Sequence, residues 1–75
     1  MTVVIYVLIV SEIGKELTVK SALDEIKGVT EVRTVYGEYD VVARVETPTL
    51  KELDEIVTLL RKITGIIRTV TLISA

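Results

Sequence analysis

Two short clusters in this chain carry side chains able to grip a small molecule. The first is Gly37-Glu38-Tyr39-Asp40 and the second is Thr69-Val70-Thr71. Asp40 lies in a valine-rich run, Val29–Glu46, where aspartate is out of place because strands are depleted in it. A carboxylate held there in a partly dry interface suits an ammonium group, through a charge-assisted hydrogen bond. Gly37 and Glu38 read first as a tight turn, and the N–H groups of such a turn converge into a nest for an anionic carboxylate. Tyr39 packs on a sheet or lends its ring or hydroxyl to the rim of a pocket. Thr69 and Thr71 suit a strand by their branching alone, yet two residues apart they share one face and can offer both hydroxyls to one ligand.

Catalysis fits these residues poorly. The chain has no histidine and no cysteine, which removes the usual general base, the commonest metal ligand and any thiolate nucleophile. Asp, Tyr and Arg remain without an evident base–nucleophile pair. The residues describe a binding protein rather than an enzyme, with no metal and no cofactor.

The 75 residues make one domain, 1–75, near the lower size limit for a single core. Hydrophobic residues are 49% and charged residues 27%, which excludes a disordered chain. Net charge is −2 with the signs interspersed, so there is no basic footprint for nucleic acid and no membrane-surface helix. The apolar run Val3–Val10 is too short to span a bilayer and lacks the preceding basic residues of a signal peptide. The expected location is the cytoplasm. Asn and Gln are both absent, a tendency of thermophile proteins.

The elements that must position the two clusters follow from periodicity. Thr2–Val10 is a strand with two apolar faces, Val3, Ile5, Val7, Ile9 and Val4, Tyr6, Leu8, Val10, as a central strand covered on both sides requires. Lys15–Lys27 carries Val19, Ala22, Leu23 and Ile26 at helical spacing and is stopped by Gly28. Val29–Tyr36 and Tyr39–Glu46 are strands joined by Gly37-Glu38, with glycine first as a two-residue type II′ hairpin demands. Pro48, with Thr49 and Glu52 as a capping box, begins a second helix. Its stripe is Leu53, Ile56, Val57, Leu60 and Ile63. Gly65 ends it, and Ile66–Ile73 is the last strand.

The order strand, helix, strand, strand, helix, strand predicts an α+β, ferredoxin-like sandwich. Its four-stranded antiparallel sheet carries both helices on one face. The other face is rich in aliphatic residues and would be a liability on a monomer, so two sheets are expected to pack face to face in a twofold dimer. Arg33, Arg44 and Arg68 then need partners, and Glu31 and Glu46 are placed to supply them across strands.

With this element order, Gly37-Glu38-Tyr39-Asp40 resembles the Gly-x-Tyr-Asp signature of the ligand-binding (RAM) domain of the leucine-responsive regulatory protein/AsnC family. Gly65 followed by Thr69-Val70-Thr71 is similar to that family's glycine-led Thr-x-Thr segment. The resemblance covers essentially the whole chain and implies an effector site at Gly37, Glu38, Tyr39, Asp40, Thr69 and Thr71 for an amino acid. It also implies homodimers that assemble into rings, an octamer or a decamer, with the effector between adjacent dimers. Full-length members carry a helix-turn-helix domain for which this chain has no room. The expectation is therefore a stand-alone RAM protein that modulates amino-acid-responsive transcription by associating with full-length Lrp/AsnC regulators, without touching nucleic acid or membrane. The alternatives are an ACT-like regulatory domain, a purely structural oligomerisation domain, or, less favoured by the residues, a small enzyme of the dimeric α+β barrel kind.

Overall fold

Strand β1, Val3–Ser11, organises the computed structural model, which describes residues 2–75. It is followed by α1 (Glu16–Asp24), β2 (Val29–Thr34), β3 (Val41–Thr47), α2 (Leu50–Leu60) and β4 (Ile66–Ile73). The four strands form one antiparallel sheet in the order β2-β3-β1-β4, which puts β1 and β3 at its centre. This is the ferredoxin-like arrangement expected from the sequence. Ile5, Val7 and Ile9 of β1 and Val41, Ala43 and Val45 of β3 are buried on the helix side, against Val19 and Leu23 of α1 and Leu53, Ile56 and Leu60 of α2. Helices and strands thus meet through branched aliphatic side chains, the type best suited to a pleated surface.

Both helices are bounded by identifiable contacts. The Thr49 hydroxyl accepts the Glu52 N–H at 3.2 Å and caps α2, as its sequence suggests. Pro48 lies just before this cap rather than in the first turn. Helix α1 is shorter than its apolar stripe. After Asp24 the chain tightens, with the Glu25 N–H donating to the Ala22 carbonyl and the Ile26 N–H to the Leu23 carbonyl. This three-residue winding still turns Ile26 toward the core. Gly28 then reverses the chain at φ +102°, and its carbonyl accepts the Glu46 N–H at 2.8 Å.

The hairpin differs from the expected two-residue turn. β2 stops at Thr34 and β3 starts at Val41, and the Val35 N–H donates to the Asp40 carbonyl at 2.9 Å. That bond closes a four-residue loop, Tyr36–Tyr39, with Gly37 at φ +129° inside it. The Asp40 N–H donates to the Ile9 carbonyl at 2.8 Å, which ties the residue before β3 to β1. Tyr39 is therefore outside the strand, and Asp40 immediately precedes β3 rather than interrupting it.

The face without helices carries Val4, Tyr6, Leu8 and Val10 of β1 with their cross-strand neighbours. In register, Val42, Leu8 and Val70 form a row over three strands, and Arg44, Tyr6 and Leu72 form the next. Leu72 is 50% and Tyr6 40% exposed.

The tight path at Gly28 yields a stability prediction. An added Cβ there would sit 2.5 Å from Ile56 Cδ1, whereas at Gly14, φ +84°, it would meet nothing within 4 Å. Gly14→Ala is expected to cost the backbone term alone, and Gly28→Ala to lose more, of order 1–3 kcal/mol. Urea unfolding of the two variants checks the ranking.

Candidate functional site

The loop between β2 and β3 and the start of α1 enclose a cleft of about 310 Å³, lined by Glu16, Leu17, Thr34, Val35, Tyr36 and Asp40. It combines two carboxylates with apolar walls, and the Tyr36 side chain at its lip is fully exposed. Asp40 is half-buried and already has work inside the chain. Its Oδ2 accepts the Ser11 N–H at 2.9 Å and faces the Ser11 hydroxyl at 3.5 Å. Ser11 is buried where the pairing of β1 with β4 shifts register, so the carboxylate satisfies an N–H displaced from the regular ladder. One Asp40 oxygen is thus structural, and the group as a whole still borders the cleft.

The other residues expected at a site are distributed around it. Gly37 and Glu38 are exposed in the loop, and the space a Gly37 Cβ would fill is open. Tyr39 turns away from simple sheet packing: the Arg68 guanidinium carbon lies 5.8 Å from its ring centroid, linking the loop to β4 by a cation–π contact. Thr69 and Thr71 stand on β4 opposite Ile9 and Val7, on the helix side of the sheet. The Thr71 hydroxyl is buried without a hydrogen-bond partner. The Asp40 carboxylate reaches Ser11 of β1, while the two threonines stand on β4 across from Ile9 and Val7. The cleft that holds Asp40 includes neither of them. Within one chain the two clusters share no cleft, and the Tyr39–Arg68 contact is what joins the loop to β4.

Glu16, Leu17, Thr34, Val35 and Tyr36 were not singled out as site residues by sequence alone. Tyr36 had a signal, since it flanks the loop as Tyr39 does. Glu16 and Leu17 reach the cleft only through the packing of α1, which no local pattern encodes.

Arginine partners also differ from expectation. Arg33 pairs with Glu31 and Arg44 with Glu46, each along its own strand rather than across strands. Arg44 Nη1 also donates to the Thr30 hydroxyl at 2.8 Å. Hydrogen bonding with Tyr6, and then the Glu46 carboxylate, hold the Arg44 guanidinium above its ordinary pKa, against some desolvation. Arg44 and Tyr6 border a groove of about 210 Å³ on the open sheet face, together with Glu31, Arg33, Val35 and Val42. Among the described residues no group of His, Cys, Asp or Glu is placed to hold a metal ion, and no helix is long and apolar enough to cross a membrane.

Residues 5–75 match the family model of the Lrp/AsnC ligand binding domain. The chain belongs to that family. This Lrp/AsnC domain is similar to the crystal structure of FFRP-DM1, with 42% identity, a TM-score of 0.92, and coverage of 97% of this chain and 99% of the other. It is equally similar to the protein PHS023 from Pyrococcus horikoshii, with 41% identity, a TM-score of 0.91, and coverage of 100% and 90%. A regulator from Neisseria meningitidis, NMB0573, solved as a complex with L-Met, shares the fold at a TM-score of 0.81 and 12% identity. That match covers 97% of this chain and 49% of the regulator. Comparison with curated protein sequences finds no match.

The double duty of Asp40 is open to measurement. Asp40→Ala removes the acceptor of a buried N–H and is expected to lower unfolding stability by about 1–3 kcal/mol. A variant as stable as the parent in urea would show that water or a neighbour takes over the Ser11 N–H.

Proposed function

We propose that this Lrp/AsnC domain is a non-enzymatic effector module that binds a free amino acid and couples binding to self-assembly. The observation that carries the proposal is the acidic, apolar-walled cleft at Asp40, within a chain that matches a ligand-binding family over residues 5–75. Asp40 and Glu16 supply negative charge for the ammonium group, Leu17, Val35 and Tyr36 supply apolar contact for a side chain, and N–H groups at Gly37 and Glu38 suit the carboxylate. Thr69 and Thr71 do not line this cleft, and in this proposal their hydroxyls join the ligand where another copy completes the site. The L-Met bound by the Neisseria meningitidis regulator is consistent with this ligand class.

Assembly begins, in this proposal, with the open sheet face. The Val42–Leu8–Val70 row and its neighbours form an apolar band on a chain with no cysteine for a disulfide staple, and burying that band against a second copy removes it from water. Arg44 keeps its intrachain partners there and fixes the register of the two faces. Association with full-length Lrp/AsnC regulators would carry the amino-acid signal to transcription, from a protein of the cytoplasm. A purely structural role remains the competing reading, favoured by the Asp40–Ser11 bonds, and it predicts indifference to amino acids.

Thermal melts distinguish the two. An amino acid that binds the native state at a concentration 100 times its Kd adds about 2.7 kcal/mol of stability and raises the melting temperature. At least one of the twenty at millimolar concentration is expected to do so, and Glu16→Gln, which leaves the Ser11 contact alone, to weaken the shift. Leu8→Glu is expected to lower the native mass by sedimentation. Absence of any shift refutes amino-acid binding, and an unchanged mass refutes the sheet-face dimer.

A further inference from the structure

The walls of the cleft beside α1 are unbalanced in charge. Glu16 and Asp40, both half-buried, are carboxylates on its lining, and the remaining lining residues, Leu17, Thr34, Val35 and Tyr36, are uncharged. Two like charges facing one partly dry space repel each other unless a cation joins them. The chain does not supply that cation.

Lys20 stands one helical turn after Glu16, at the i,i+4 spacing that suits a Glu–Lys pair. It bonds to Asp24 instead, with Nζ 3.1 Å from Oδ2. Lys15 precedes Glu16, but its stem runs beside Gly65, where an added Cβ would lie 3.2 Å from Lys15 Cβ. Of the arginines, Arg33 pairs with Glu31, Arg44 with Glu46, and Arg68 lies over the Tyr39 ring. Among the described residues neither Glu16 nor Asp40 has an ion-pair partner.

The two carboxylates are held differently. Asp40 is fixed through Oδ2 by Ser11, which leaves Oδ1 for a ligand. Glu16 sits in the first turn of α1, where the helix dipole favours an acidic side chain.

A neutral amino acid brings one ammonium and one carboxylate. With its carboxylate at the N–H groups of Gly37 and Glu38 and its ammonium on Asp40, it covers Glu16 and leaves that charge uncompensated, which weakens binding. We propose that the cleft selects an amino acid with a basic side chain, Asp40 taking the α-ammonium and Glu16 the distal cation. This rests on the amino-acid reading above and adds to it the class of side chain. The methylene stem of such a ligand suits the apolar walls at Leu17 and Val35, and the exposed Tyr36 ring at the lip can offer its face to the cation. A volume of about 310 Å³ is at the small end of ligand sites, roughly 300–1,000 Å³, and suits one amino acid rather than a peptide. A calcium ion is a poorer occupant, because it needs about six to eight oxygen ligands and only two carboxylates line the cleft.

Calorimetric titration of the whole chain with lysine, arginine, norleucine and cadaverine tests the assignment. Norleucine is lysine without its distal ammonium, and cadaverine is lysine without its carboxylate. Lysine or arginine is expected to bind about tenfold more tightly than norleucine, in line with one added charge-assisted hydrogen bond. Glu16→Gln is expected to bring that ratio close to one. The ratio is taken within a single variant, so a change in folding stability alone does not move it. Norleucine binding as tightly as lysine and arginine overturns the proposal and leaves the amino-acid reading standing, whereas no binding by any amino acid overturns both. Cadaverine binding as tightly as lysine overturns it by assigning the cleft to diamines. An unchanged ratio in Glu16→Gln overturns it by removing Glu16 from the contact.

Discussion

A central strand with branched aliphatics on both faces, served by helices on only one, is the constraint from which the rest follows. Ile5, Val7 and Ile9 are satisfied within the chain by α1 and α2. Leu8 and its neighbours Val42 and Val70 are not, and no later element of the chain folds over them. The chain covers one face of β1 with its own helices and leaves the other face without a helix over it. In a domain with no disulfide and one small core, the helix-covered face therefore carries most of the stability that the chain supplies for itself.

Asp40 shows how a local irregularity can serve both architecture and binding. The β1–β4 ladder shifts register at Val10–Ser11, and the carboxylate of Asp40, the residue just before β3, accepts the Ser11 N–H. The four-residue hairpin loop and the cleft beside α1 both border this residue. An acidic residue next to a turn is therefore tied to the geometry of three strands, which is a stronger constraint than turn propensity alone imposes.

Most of the fold was legible from periodicity. The apolar stripes of both helices, the Thr49 cap, the full span of β4 and the central place of β1 follow from side-chain spacing, because burial on one or both faces leaves a direct trace in the sequence. The hairpin was not legible. Gly37 correctly marks a positive φ, but the loop closes at Asp40, which donates its N–H to Ile9 and accepts the Ser11 N–H on its carboxylate, and both partners are distant in sequence. The candidate site was half legible for the same reason. Asp40 stands out by its misfit, whereas Glu16 and Leu17 join it through helix packing, and Thr69 and Thr71, on the strand expected for them, do not line the cleft. Arginine pairing along strands rather than across them likewise depends on rotamers that no sequence pattern specifies.

The chain contains three tyrosines and no tryptophan. Tyr6 lies on the uncovered sheet face, Tyr36 at the lip of the cleft, and Tyr39 under the guanidinium of Arg68 beside the free edge. Each aromatic ring thus stands at a different boundary between the chain and its surroundings, and none is enclosed in the core. The near-ultraviolet optical signal of this protein consequently arises at its surface, so its spectroscopy follows solvation rather than the integrity of the interior.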